Sequence, residues 1–321
     1  MNAKKIFLLV CFILCLHCTA NAQDNVVENW WDNNMLIAEG YGFPKENAEN
    51  PRRAQILARR AAMMDAYRQL AEQAKGIHIT AESTIGSKIL TGDIVEGKVD
   101  AVVKGAQILS EEFDEYNNCK VVMCVPVYGV TDSVANVAFK SVDKKDFPPP
   151  SGSKLVTGRY TGLIIDCGET DLKPVLTPVI RSANNIPIYS YNNLDHDKVV
   201  SKGMVSYAYR EPTVENIPLN PSGEKSLPLS YTAIIKKKLL LLTTPNPESS
   251  RSRAGNNPLV IKATGMSDEN SCPIISADDA DRILSENQAS HFLDDGAVVL
   301  TGNSIGGSMV AKSYRVGGLR A

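Results

Sequence analysis

From residue 51 onward, apolar positions recur at intervals of three, four and seven. Ile56, Met63, Ala66, Tyr67, Leu70 and Ala74 share one face of a helical projection, while Arg52, Arg53, Arg59, Arg68 and Glu72 fill much of the rest. Asn50 is a suitable N-cap, Pro51 suits the first helical position, and Gly76 suits the C′ position. The spacing therefore predicts a helix from Pro51 to about Ala74. Before it, Met35-Leu36-Ile37-Ala38-Glu39-Gly40-Tyr41-Gly42 reads as a short strand ending in a glycine turn. After it the period changes to two. Ile77, Ile79, Ala81, Ser83 and Ile85 alternate with His78, Thr80, Glu82 and Thr84, which predicts a half-buried strand.

Residues 91–104 read as a connection with some helix. Residues 105–116 and 119–130 read as two strands joined at Asn117-Asn118, a hairpin turn signal. The second carries Val121, Val122, Met123, Val125 and Val127, so it is expected in the middle of a sheet. A helix is expected at 131–142. Pro148-Pro149-Pro150-Ser151-Gly152-Ser153 then reads as a linker. Beyond it, strands are predicted at Thr161–Cys167, at Val175–Arg181 and Pro187–Tyr191 around Asn184-Asn185, and at Leu259–Thr264. Ser276 caps a helix with Asp278 and Asp279 in its first turn and Ile283, Leu284, Ala289 and Phe292 on its apolar side. Asp295-Gly296 turns into a last strand, Ala297–Thr301, and a frayed tail begins at Gly302. Residues 209–257 are rich in Pro, Ser, Asn and Lys. Within them Ile234-Ile235, three lysines and Leu239–Leu242 form a strand or a partner-binding run, too short and charged to span a bilayer.

The N-terminus sets the compartment. Lys4 and Lys5 precede an apolar run from Ile6 to Leu16, and Ala20-Asn21-Ala22 supplies a signal-peptidase site before Gln23. Neither Cys15, preceded by Leu14, nor Cys18, preceded by His17, stands in a lipobox, which favours a mature chain without a lipid anchor. The organisation is thus a signal peptide at 1–22, an α+β domain at 34–145, a linker at 146–154, and a second α+β domain at 155–302 with a long insertion at 209–257. The net charge is -2, and -4 once Lys4 and Lys5 are removed, so nothing attracts nucleic acid generally. Cys119, Cys124, Cys167 and Cys272 survive cleavage. Disulfides are permitted in an exported chain, small buried thiols are the blander reading, and the spacing matches no zinc pattern. Cys119 and Cys124 differ by an odd number, so they should lie on opposite strand faces.

Candidate chemistry is sparse. Gly40-Tyr41-Gly42 lacks the third glycine and the context of a dinucleotide loop. His78, His196 and His291 share no metal spacing, and His196, in Leu194-Asp195-His196-Asp197-Lys198, reads as a solvated turn. Asp166, after Ile164-Ile165, is either an acid in a cleft or an outward residue of an alternating strand. Trp30 and Trp31 suit an anchoring role or packing on the first domain. Arg52, Arg53, Arg59, Arg60 and Arg68 suit phosphate or lipid headgroups, or a plain solvated face. No serine or cysteine nucleophile is set up by its neighbours. No catalytic residue, cofactor site or metal site is assigned.

Ala38-Glu39-Gly40-Tyr41-Gly42, then Ala58-Arg59-Arg60-Ala61-Ala62-Met63-Met64-Asp65-Ala66-Tyr67-Arg68-Gln69-Leu70-Ala71-Glu72, then Gly76-Ile77-His78-Ile79, resemble the Lpp-twenty (LPP20) lipoprotein family. That family includes FlgP-like proteins and is related to the FlgT N-terminal domain. The resemblance spans about residues 34–135, with the later residues as a C-terminal extension. It implies an α+β fold, with an SHS2-like, dodecin-like helix on an antiparallel sheet in the first domain and a smaller β-rich α+β domain after it. It also implies a non-catalytic periplasmic or envelope role by protein–protein contacts, flagellar or outer-membrane assembly among them. The implied partners are envelope or flagellar proteins and further copies of the chain, with peripheral membrane association open. The alternative is a periplasmic ligand-binding module for cell-wall or lipid fragments.

Overall fold

The structure, a computed structural model, describes residues 30–44, 50–152, 156–209 and 253–304. The signal peptide, its cleavage site, the lipobox cysteines and the Ile234–Leu242 run lie outside the described residues.

The N-terminal half runs α1 (Trp30–Asn33), β1 (Met35–Gly42), α2 (Pro51–Gly76), α3 (Ile85–Leu90), α4 (Glu96–Lys104), β2 (Gln107–Phe113), β3 (Cys119–Pro126) and α5 (Val134–Ala138). The sheet is antiparallel in the order β1-β3-β2. The valine-rich β3 is central, as its two-faced apolarity predicts. The Asn50 carboxamide accepts the Arg52 and Arg53 N–H groups, and Pro51 occupies the first turn, so the start of α2 is set as the sequence indicates.

The buried stripe of α2 keeps Ala66, Leu70 and Ala74 of the predicted one and differs in the rest. It is Ala54, Ala58, Ala62, Ala66, Leu70 and Ala74, repeating every four residues, whereas Ile56 is 53% exposed and Met63 and Tyr67 are only half-buried. The reason lies in β1. Gly40 and Gly42 do not form a turn; they lie within the strand, under the helix. A Cβ on Gly40 would stand 2.0 Å from the Ala62 carbonyl oxygen, and one on Gly42 would stand 1.9 Å from that of Ala58. Glycine on the strand and alanine on the helix let the backbones touch, and larger side chains are displaced to other faces. Gly76 is also not a left-handed cap; it is the last helical residue, and Ile77 caps the end with its N–H on the Ala74 carbonyl.

The predicted strand at 77–85 is absent. Only an isolated bridge joins His78 and Thr84. Ile77, Ala81 and Ile85 are buried, but Thr84 and Ser87 form a reciprocal capping box that starts α3 at Ile85. Two carbonyls of this stretch, His78 and Ile79, accept the Leu176 and Thr177 N–H groups of the C-terminal half instead of a sheet partner. The helix expected at 131–142 shrinks to α5, capped by Ser133. The 107–113/119–126 hairpin is borne out, with Asn117 in the left-handed region at φ 63°. Cys119 joins the core beneath α2, and Cys124 joins a second cluster with Met35, Ile37, Leu109 and Val122, on opposite faces as expected.

The C-terminal half runs β4 (Gly162–Leu172), β5 (Ile180–Ser182), β6 (Pro187–Tyr189), α6 (His196–Lys202), β7 (Ser206–Tyr209), β8 (Pro258–Lys262), β9 (Gly265–Ser267), β10 (Cys272–Ile275), α7 (Ala277–Ser290) and β11 (Val298–Ser304). One sheet is parallel, in the order β7-β11-β4-β8; the other has the order β6-β5-β10-β9. The fold is thus α+β in both halves. The hairpin around Asn185 forms, but its first arm is Ile180–Ser182 only. Ser276 caps α7 as predicted, through the Asp279 N–H. Ala289 is exposed and so is not part of its apolar side, and Gly302 belongs to β11 rather than to a tail.

Candidate functional site

Two features remain after the core and the caps are accounted for: the outer face of α2 and a cleft between the halves. The outer face follows from the alanine stripe. Because Ala54, Ala58 and Ala62 point at the sheet, Arg52, Arg53, Ile56, Leu57, Arg60 and Met64 fall within an opposing arc of about 140° at 3.6 residues per turn. Ile56, Leu57 and Met64 are 53%, 44% and 69% exposed. Arg59 is held by Glu111 at 2.8 Å, and Arg68 by Asp65 at 2.9 Å and Glu72 at 2.8 Å. Arg52, Arg53 and Arg60 have no ion pair among the described residues. The five arginines therefore divide: two are bound within the fold, and three face outward among large apolar side chains.

The sheet edges do not offer a comparable surface. A row of α2 side chains four residues apart covers the backbone of edge strand β1. The Asp65 carboxylate accepts the Tyr41 N–H at 3.2 Å, while Gln69 donates to the Glu39 carbonyl at 2.7 Å and Gln73 to the Ile37 carbonyl at 3.0 Å. The other edge, β2, is bulged between Ile108 and Ser110 and carries exposed Glu111 and Glu112. A capped edge and a bulged, charged edge both resist strand addition.

The cleft has a volume of about 420 Å³, and its apolar walls include Ile79, Ile94, Phe139, Val142, Val179 and Tyr191. At its rim Asp93 is 3.4 Å from both Lys88 and Lys140. The Thr91 hydroxyl, then the two lysines, hold the Asp93 carboxyl below the usual carboxylate range. Tyr191 stacks on Phe139 at 5.1 Å, donates to the Lys140 carbonyl at 2.7 Å and meets His196 Nδ1 at 2.8 Å. The halves that form the cleft are firmly joined. Gly129 N–H reaches the Val200 carbonyl, Lys145 N–H reaches that of Asn192, and the Tyr128 ring lies where a Cβ on Gly203 would be.

The remaining candidates have structural surroundings. Trp30 is buried and packs edge-on against Trp31 and Tyr128, which is the reading that placed it on the chain's own first domain. His196 is not a solvated turn: it opens α6 and is tied to Tyr191, because Asp195 caps that helix. His291 is the left-handed residue ending α7. Asp166 is half-buried in β4 and accepts the Gly168 N–H at 2.9 Å. Cys119, Cys124, Cys167 and Cys272 are buried free thiols, so no disulfide joins them. Sequence reading missed Glu286, which is 2% exposed and accepts the Thr157 and Gly158 N–H groups, both at 2.9 Å. It also missed Arg253, which donates to the carbonyls of Lys202, Gly203 and Gly296. Both are pairings across the sequence with no local signature. The Asp65, Gln69 and Gln73 row did have one, a four-residue spacing on a helix. No described helix is long and apolar enough to cross a membrane.

Residues 43–125 match the model of the LPP20 lipoprotein family, and residues 162–303 match that of the second domain of Treponema pallidum Tp0624. The first match bears out the resemblance carried by the α2 sequence and supports an exported envelope protein. The second falls on the C-terminal extension. No curated protein matches the chain.

Proposed function

We propose that this chain is an exported cell-envelope protein without catalytic chemistry, and that it works by docking the outer face of α2 on another envelope component. The carrying observation is the division of the arginines: Arg52, Arg53 and Arg60 stand outward among Ile56, Leu57 and Met64, while their neighbours on α2 are neutralised. Exposed apolar side chains grouped with charge mark a contact surface. The LPP20 match over residues 43–125 supports that compartment. Action within flagellar or outer-membrane assembly, with envelope or flagellar proteins as partners, is the finer form of the same reading.

Cell fractionation tests it. The wild-type chain should fractionate with envelope membranes, and a variant carrying R52Q, R53Q, R60Q and M64Q should move to the soluble periplasmic fraction. Equal distribution of the two would refute the reading. Unchanged motility in a deletion strain would remove the flagellar form alone. The intact mass of the mature chain shows whether Cys15 or Cys18 carries lipid or cleavage falls before Gln23.

The cleft favours a second reading, a module that binds a small amphipathic ligand between Phe139, Val179 and the Lys88–Asp93–Lys140 rim. Loss of function on Val179→Trp, with the α2 variant unaffected, would put this reading first.

A further inference from the structure

We infer that the component met by the α2 outer face is an anionic phospholipid surface. The inference rests on the contact reading above and adds the partner's chemistry. Three observations carry it. First, among the described residues the carboxylates along α2 are already paired: Asp65 and Glu72 are held by Arg68, and Glu111 by Arg59. Arg52, Arg53 and Arg60 thus present guanidinium groups suited to phosphate oxygens. The chain as a whole is acidic, so the attraction is local to this face and not a consequence of net charge.

Second, the apolar residues alternate with the arginines on the same arc instead of forming a separate patch. Ile56, Leu57 and Met64 can enter the boundary between headgroups and acyl chains while the arginine stems extend their guanidinium groups back to phosphate level. The 26-residue α2 lies flat on its sheet through the alanine stripe, so its outer face can lie parallel to a membrane plane.

Third, a second copy of the chain fits badly. A two-fold contact through this face would place Arg52, Arg53 and Arg60 near their own counterparts, and like charges there oppose association. The capped β1 edge and the bulged, acidic β2 edge remove the strand-pairing route to such a dimer.

The test sediments the purified mature chain with vesicles of phosphatidylcholine alone and of phosphatidylcholine mixed with phosphatidylglycerol. The wild-type chain should pellet only with the mixed vesicles, and less so as salt rises. The R52Q/R53Q/R60Q variant should bind on the order of a hundredfold more weakly, at roughly 1 kcal/mol per basic residue near an anionic surface. Arg159→Gln, which removes an exposed arginine of the C-terminal half away from α2, should bind as wild type. Thermal unfolding of each variant confirms that it is folded; glutamine keeps the helix propensity of arginine. Failure of the folded wild-type chain to bind mixed vesicles would overturn the inference, as would undiminished binding by the triple variant. If the quadruple variant nevertheless leaves the envelope fraction in cells, the contact reading stands and its partner is an acidic protein.

Discussion

Gly40 of β1 lies directly beneath Ala62 of α2, so close that a Cβ on the glycine would stand 2.0 Å from the alanine's carbonyl oxygen. This contact sets the geometry of the N-terminal half. With Gly42 it admits only small residues at Ala58, Ala62 and Ala66 on the helix underside and so turns Arg52, Ile56, Arg60 and Met64 outward.

The contact gives the first prediction. Gly40→Ala forces β1 and α2 apart and should lower stability by about 3 kcal/mol or more, at the upper end of overpacking costs. Gly76→Ala, with nothing within 4 Å of the added Cβ and helical backbone at that position, should be neutral or stabilise by about 0.5–1 kcal/mol. Urea denaturation of the two variants measures both. Equal effects would show that the helix does not lie on the strand as described.

Gln69 and Gln73 satisfy outward carbonyls of β1. The Q69A/Q73A variant should lose roughly 1 kcal/mol per hydrogen bond and, with an edge strand uncovered, self-associate more strongly. Sedimentation velocity should show a concentration-dependent increase in size that the wild-type chain lacks. A variant that sediments as the wild-type chain does would mean that the glutamines do not protect the edge.

Burial raises all four mature thiols, Cys124 to about 11 and Cys167 to about 12. Maleimide at neutral pH should therefore label the native chain very slowly and the urea-unfolded chain at four sites. The sign for stability follows. A thiol whose folded pKa is raised is best kept protonated, so this contribution is complete below the unfolded value near 8.5. It is lost as pH rises above that and through the folded values of about 11 for Cys124 and about 12 for Cys167. Denaturation midpoints should fall across that alkaline window. Rapid native labelling would show that the thiols are accessible.

The sequence reveals those features that depend on neighbours along the chain. Asn50-Pro51, Ser276 and Asn117-Asn118 announced a helix start, a cap and a turn because each acts through backbone groups a few residues away. The alternation of His78 with Ile77 and Ile79 was real, but it was overridden by the Thr84–Ser87 capping box and by Leu176 and Thr177 reaching across from the other half. In the first turns of α2 bulk does not mark burial: Ile56 is exposed while Ala54 is buried. Ala58 and Ala62 are buried for being small, and that depends on Gly40 and Gly42 meeting them. Once the stripe is known, the outward arginines follow from helical geometry alone. The cleft, built from Phe139, Val179 and Tyr191, depends on how the halves dock, which local pattern does not encode.

The most direct test of the docking face uses the unreactive native thiols. A single added cysteine, M64C, can be labelled with an environment-sensitive fluorophore on the outer face of α2, with E82C as an exposed control elsewhere. On adding envelope membranes from the same cells, the probe at position 64 should shift to shorter wavelength while that at position 82 stays unchanged. A silent probe at 64, or an equal shift at both positions, would contradict the claim that this face is where the protein meets the envelope.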